Sequence, residues 1–288
     1  MQGNATNDIS ILTNPVGVSV LLHHILVLAA VQGITEFLPI SSSGHLILTG
    51  HVLGWPDQGL EIDVAVHIGS LAAVCLYFWR DVWQMFVGAG RVATGRGGPP
   101  AKLVLNVIVA TIPIIIAGFL LKDYVGTVFR SVELIGWTTL GFGILLFIAD
   151  RVGMTIRRVE HLSWVTSLVI GLSQILALLP GTSRSGITMT TARFLGVERE
   201  DAARFSMLIS IPTILGAGLL AGLDVYESGS FALTGDVAIA VIFSFITALI
   251  SIYAMMAWLR RSGFAPFVIY RIIMGVGLLY WVYSGAAV

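Results

Sequence analysis

The sequence predicts an all-α polytopic membrane protein, with about six transmembrane helices plus two re-entrant helical hairpins arranged as an inverted-topology repeat. Three observations predict it. Of the 288 residues, 56% are hydrophobic and only 11% are charged, whereas soluble domains carry about 25% charged residues. Residues 103–121, 134–149, 205–223 and 237–259 contain no Asp, Glu, Lys or Arg, and such runs approach or reach the ~20 residues a helix needs to cross a bilayer. Third, two Pro/Gly/Ser-rich breaks inside apolar stretches match each other at a shift of 142 positions. A β-barrel is excluded, because barrel strands alternate with period two instead of running apolar.

In chain order, hydrophobic segment 20–54 carries the first break, QGITEFLPISSSGHL at 32–46. Crossings are expected near 62–79, 103–121 and 133–150. Segment 162–198 then carries the second break, QILALLPGTSRSGI at 174–187, and crossings near 201–223, 237–259 and 264–284 come after it. Stretch 80–102 holds Arg80, Arg91, Arg96 and Lys102 against Asp81; stretch 151–161 holds Arg151, Arg157 and Arg158 against Glu160; Arg260 and Arg261 mark a third basic loop. Stretches 55–63 (Asp57, Glu61, Asp63) and 224–236 (Asp224, Glu227, Asp236) have no Lys or Arg. Basic loops belong in the cytoplasm, so the acidic loops and both termini are expected outside. Segments 20–54 and 162–198 must each then return to their own side, entering from opposite faces. The chain reads as a single membrane domain, 1–288, with one repeat over about 20–150 and the other over about 162–285. Such folds place their site near the midplane, where the broken helices meet.

Other features narrow the class. The first ten residues lack the basic region of a signal peptide, and Asn4-Ala5-Thr6 formally matches a glycosylation sequon. Zero net charge gives no sign of a nucleic-acid partner. Cys75 is the single cysteine, so no disulfide or thiolate metal site can form.

The breaks carry the chemistry. Gln32 and Glu36 share a helix face at i, i+4, and Pro39 stops that helix. Ser41, Ser42 and Ser43 come next, with Gly44 allowing close backbone approach and His45 beyond it. Hydroxyls and amides at a new helix start form an anion site. The second break, Pro180 to Gly186, has the same design with Thr182, Ser183 and Ser185, and adds Arg184, the residue suited to bidentate phosphate binding. Each residue also has an ordinary structural use: a Glu36–Arg184 ion pair, a capping His45, serines packing helices, Gln32 bridging helices. Their concentration on two repeat-related segments favours function, because ionisable groups at membrane depth are costly. Arg271, after Tyr270 in the last apolar segment, is a further substrate-binding candidate. Arg193, Arg199 and Arg204 read as markers of the cytoplasmic boundary.

These two runs resemble the signature regions of the bacterial undecaprenyl-diphosphatase family, the UppP/BacA bacitracin-resistance proteins. One matches Glu/Gln-x-x-x-Glu followed by Pro-x-Ser-Ser-x-Gly-His, the other Pro-Gly-x-Ser-Arg-Ser-Gly. The resemblance implies a phosphatase that converts undecaprenyl diphosphate to undecaprenyl phosphate and inorganic phosphate, recycling the lipid carrier for cell-wall synthesis and conferring bacitracin tolerance. It also implies a divalent cation, Mg²⁺ or Ca²⁺, and a multi-pass position in the bacterial inner membrane with the active site facing the periplasm. By position, Glu36, His45 and Arg184 match the family's essential charged residues, and Ser42 its nucleophile. Ser41, Ser43, Ser183 and Ser185 match its surrounding hydroxyls; Gln32, Gly44, Thr182, Gly186 and Arg271 complete the expected substrate contacts. Gln32 stands where many members have Glu, so the acidic role and any metal contact fall on Glu36. Either His45 or Glu36 can serve as base, and either Ser42 or water can attack. A polyprenyl-phosphate transporter or flippase is the main alternative. An acid-phosphatase-superfamily enzyme lacks support, because no early Lys-x6-Arg-Pro is present and no His follows Arg184. The bilayer is the evident partner, and a homodimer is left open.

Overall fold

The computed structural model describes residues 22–55, 60–127, 131–227 and 235–285; the Asn4 sequon, both chain ends and Asp57 lie outside these. The described residues form helices α1 (Leu22–Thr35), α2 (Ser42–Leu53), α3 (Leu60–Tyr77), α4 (Trp79–Ala93), α5 (Pro99–Thr127) and α6 (Val132–Val152). After these come α7 (Trp164–Gln174), α8 (Arg184–Phe194), α9 (Arg199–Glu227), α10 (Gly235–Leu259) and α11 (Ala265–Tyr283).

Six of them are long and apolar enough to cross a membrane: Leu60–Tyr77, Pro99–Leu121, Val132–Val152, Arg199–Leu223, Gly235–Leu259 and Ala265–Tyr283. Every end falls within four residues of the expected crossing. By contrast α1 and α2 have 14 and 12 residues, and α7 and α8 have 11 each. At 1.5 Å per residue the longest of these reaches about 21 Å, short of a ~30 Å hydrocarbon core. Each pair packs on itself, α1 with α2 and α7 with α8. In addition α1 lies on α10 and α7 lies on α5, the second crossing after the other break in each case. Both contacts are close because a glycine faces backbone. A Cβ on Gly33 would come 2.9 Å from the Ala248 nitrogen, and one on Gly171 would come 2.4 Å from the Ala110 oxygen.

Ion pairs and hydrogen bonds tie six helix ends together. Asp150 on α6 meets Arg199 at 2.6 Å and Arg193 at 3.6 Å, and accepts from the Phe264 amide ahead of α11. Arg204 on α9 reaches Asp81 on α4 and Glu160, while Lys102 on α5 donates to the Glu160 carbonyl. Arg193, Arg199 and Arg204, expected as boundary markers, tie the helix ends together. The core runs along the first turns of α9, where Phe205, Met207, Leu208 and Ile209 are buried.

One element differs from the expectation of a basic loop over 80–102. The chain breaks at Phe78 (φ −98°, ψ 31°) and continues as α4. Trp79, Trp83 and Phe86 recur at helical spacing and remain exposed, while Gly88 packs on α5, where a Cβ would come 2.1 Å from the Pro100 oxygen. Arg80, Asp81 and Arg91, interspersed on the same turns, mask that periodicity in the sequence.

Candidate active site

The two breaks fold into copies of one another. Helix α1 stops at Thr35, four residues before Pro39, whose ring would clash with the Thr35 carbonyl and which has no N–H to donate to it. Ser41 then takes φ 77°, ψ 96°, and its Oγ accepts from the Gly44 amide at 3.3 Å, capping α2. In the second break Ser183 takes φ 70°, ψ 115°, and its Oγ accepts from the Gly186 amide at 3.0 Å, capping α8. Ser43 and Ser185, two residues on, lie 3.4 and 3.1 Å from these capping hydroxyls. Among the described residues, Ser41 and Ser183 are the two non-glycine positions with positive φ. A side chain held there costs on the order of 1–3 kcal/mol and persists only where its surroundings over-determine it.

The surroundings are the opposite break. The Gly181 amide donates to Ser41 Oγ at 3.2 Å, and Ser185 Oγ donates to the Leu38 carbonyl at 2.9 Å. Gly44 faces Gly181 so closely that a Cβ would lie 3.5 Å from the Gly181 Cα. Arg271, fully buried on α11, clamps the assembly. Its guanidinium donates to the Pro39 carbonyl (3.1 Å), the Gly181 carbonyl (3.0 Å) and the carbonyls of Thr139 (3.1 Å) and Thr138 (3.4 Å) on α6. Gly143 leaves room for this arginine, since a Cβ there would come 2.8 Å from its Cβ.

At the junction Glu36 collects three donors. Gln32 Nε2 and Ser42 Oγ donate to Oε2 at 3.0 and 2.7 Å, and Arg184 Nη2 donates to Oε1 at 2.9 Å. Arg184 Nη1 also donates to the Ser206 carbonyl of α9 at 3.2 Å. The Glu36 side chain is 8% exposed and that of Arg184 12%, so a nearly buried ion pair joins one break to the other. A serine hydroxyl within 2.7 Å of a carboxylate has the geometry of a nucleophile with its base.

His45 is engaged elsewhere. Nδ1 lies 2.6 Å from the Ser41 carbonyl and Nε2 lies 2.5 Å from the Tyr270 hydroxyl, with the two rings stacked. A carbonyl can only accept, so Nδ1 carries the proton and the neutral ring's Nε2 accepts from Tyr270. Of these two side chains, Glu36 is the one that accepts a hydrogen bond from Ser42.

Comparison with known proteins identifies the family. The family profile of "Bacitracin resistance protein BacA" matches residues 25–277. The chain belongs to this family. BacA relatives align along almost their whole length. The chain is 50% identical over 272 residues to "Undecaprenyl-diphosphatase 1" of Rhodospirillum rubrum, covering 92% of this chain and 96% of that protein. It is 52% identical over 257 residues to "Undecaprenyl-diphosphatase" of Alcanivorax borkumensis, covering 89% and 97%, and 51% identical over 265 residues to that of Jannaschia sp., covering 91% and 99%.

The BacA fold thus brings all thirteen expected site residues to one junction but uses them differently. Ser42, Ser43, His45 and Arg184 keep some exposure, whereas Gln32, Ser41, Thr182, Ser183, Ser185, Gly186 and Arg271 are buried. Tyr270 and the α6 threonines were not singled out from sequence; the only signal was a Tyr-Arg pair inside an otherwise uncharged helix. For the divalent cation expected from the sequence, the donor set is sparse. Among the described residues no group of three His, Cys, Asp or Glu could hold a metal. Glu36 is the carboxylate at the junction, and beside it Gln32 Oε1 is buried without a partner. Mg²⁺ is commonly held by one or two carboxylates plus substrate phosphates, and these two oxygens fit that mode.

Proposed function

We propose that this chain is an integral-membrane phosphatase that hydrolyses undecaprenyl diphosphate to undecaprenyl phosphate and inorganic phosphate. The observation that carries this reading is the Ser42 hydroxyl on the Glu36 carboxylate, with the Arg184 guanidinium on the carboxylate's other oxygen. A transporter needs anion contacts but has no use for a hydroxyl paired with a base.

The substrate's terminal phosphate competes with Glu36 for Arg184. When it takes the guanidinium, Oε1 is released and Glu36 becomes a stronger proton acceptor. Ser42 Oγ attacks the terminal phosphorus as Glu36 takes its proton. The bond to the bridging oxygen breaks, and undecaprenyl phosphate departs while Arg184 holds the charge on the transferring group. Water then attacks the phosphoserine, returning Ser42 and releasing phosphate. With the Gly44 and Gly186 amides taken by the capping serines, the Ser42, Ser43, Arg184 and Ser185 amides that open α2 and α8 supply further anion donors. Ser41, Ser183 and Arg271 act by building the junction. A divalent cation, Mg²⁺ or Ca²⁺, would sit against Glu36 and Gln32 Oε1 and neutralise diphosphate charge.

The short paired helices with tips in contact, and the exchanged α1–α10 and α7–α5 packing, support two re-entrant hairpins in an inverted repeat. Positive-inside bias supports placing the ion-paired ends in the cytoplasm, with the site reached from the periplasm of the inner membrane. In a Cys75→Ala background, Asp57→Cys and Gly229→Cys should label from outside; labelling only after permeabilisation would invert this orientation. Purified protein in detergent should release phosphate from undecaprenyl diphosphate and stop when a chelator is added. If it binds the lipid yet releases none under varied metals, the enzyme assignment falls and transport takes its place.

A further inference from the structure

A second polar hollow lies where α3 and α10 end and α9 begins, apart from the residues of the junction. The cavity has a volume of about 370 Å³, and Trp79, Arg80, Asp81, Glu200, Arg204 and Arg260 are among its lining residues. At ~30 Å³ per water-sized group this holds roughly a dozen such groups, enough for a phosphoglycerol headgroup.

Three guanidiniums face two carboxylates in this cavity, and the three are held unequally. Arg204 is fixed by Asp81 and by Glu160 at 2.9 Å, forming a rigid wall. Arg260 pairs with Glu200 at 3.0 Å, but both side chains are exposed, at 59% and 42%. Exposed pairs of this kind contribute only about 0–1 kcal/mol, so Arg260 exchanges its partner readily. Arg80 is exposed, and its guanidinium stands 5.3 Å from the centroid of the Trp79 ring. From Trp79 at the cavity wall the exposed apolar surface continues along α4 to Trp83 and Phe86, in the helix that follows the end of the crossing helix α3. Charge for a phosphate and apolar surface for chains therefore meet at a membrane boundary, where tryptophan is favoured.

We infer that this cavity binds the headgroup of an anionic glycerophospholipid, with its acyl chains lying along the exposed face of α4. Arg80 and Arg260 hold the phosphodiester, and Arg204 closes the back of the site. Basic pockets between membrane helices on the positively charged side bind anionic headgroups by this means. The aromatic face selects a lipid over free phosphate, which has nothing to lay against it.

The test uses the full-length chain in nanodiscs containing equal phosphatidylglycerol and phosphatidylcholine, released into native mass spectrometry. One phosphatidylglycerol should be retained in preference to phosphatidylcholine. Arg80→Gln and Arg260→Gln should each weaken retention roughly fivefold, and the double variant about 25-fold, at the strength of one basic contact each. Arg96→Gln, outside the cavity, should leave retention unchanged. Both single variants and the double variant should keep wild-type phosphate release in detergent, which separates this proposal from the phosphatase assignment. Equal retention of the two lipids would overturn it, as would a loss with Arg96→Gln matching that of the double variant. So would millimolar inorganic phosphate displacing the retained lipid, since free phosphate would then be the occupant.

Discussion

Glu36→Gln keeps the size of the side chain while removing its charge, and the geometry of the junction sets the consequences. The carboxylate accepts from Gln32 and Ser42 on one oxygen and from Arg184 on the other. An amide has one acceptor oxygen, so its NH₂ must confront either the guanidinium or the Gln32–Ser42 pair. Breaking a buried ion pair by removing one partner costs about 3–5 kcal/mol. The low end applies, because Arg184 retains its bond to the Ser206 carbonyl at 3.2 Å. Loss of the base should lower kcat by about 10²–10⁴. In the absence of divalent cations, substrate binding should tighten several-fold, because Arg184 no longer has to be drawn from a carboxylate before it takes a phosphate. Steady-state phosphate release and equilibrium binding of a polyprenyl diphosphate, on variant protein shown to be folded by its melting transition, read both quantities. Turnover within tenfold of wild type would refute Glu36 as the base, and unchanged or weaker binding would refute its competition with the substrate for Arg184.

The same contacts set three further outcomes. Ser42→Ala should lose about 10³ in kcat with little change in melting temperature, and substantial residual turnover would favour direct attack by water. Tyr270→Phe removes the donor to His45 Nε2, 2.5 Å away; it should lower kcat several-fold and leave stability unchanged, measured by phosphate release beside a thermal melt. Arg271→Met removes four bonds to carbonyls of both breaks and α6. Hydrogen bonds from a charged donor contribute about 1.5–3 kcal/mol each, so this variant should melt far below wild type or fail to accumulate in the membrane.

The crossings were legible because each is a run without charge, and such runs report the bilayer's thickness directly. The breaks were legible because Pro, Gly and hydroxyls cannot continue an apolar helix without a purpose. What the sequence left open was direction. It named His45 and Glu36 as candidate bases, but only the fold turns Ser42 toward Glu36 and His45 toward Tyr270. It presented Ser41 and Ser183 as further phosphate contacts, whereas positive φ angles and capping bonds commit both oxygens to helix starts, and the Ser41 oxygen to the opposite break as well. Arg271 was found from its placement in an uncharged segment, yet its partners are backbone carbonyls, which carry no residue identity to read. Helix α4 escaped because its charges interrupt the apolar spacing of Trp79, Trp83 and Phe86.

If a cation from the second break and a nucleophile from the first act on one phosphate, removing the cation must stop turnover. The most direct measurement is phosphate release from undecaprenyl diphosphate by purified wild type beside Arg184→Ala, with both proteins shown to be folded. An arginine holding a transferring phosphoryl group accounts for about 10³–10⁵ in rate, so Arg184→Ala should fall at least a thousandfold while wild type turns over. Equal rates in the two proteins would place the chemistry somewhere other than the junction of the two breaks.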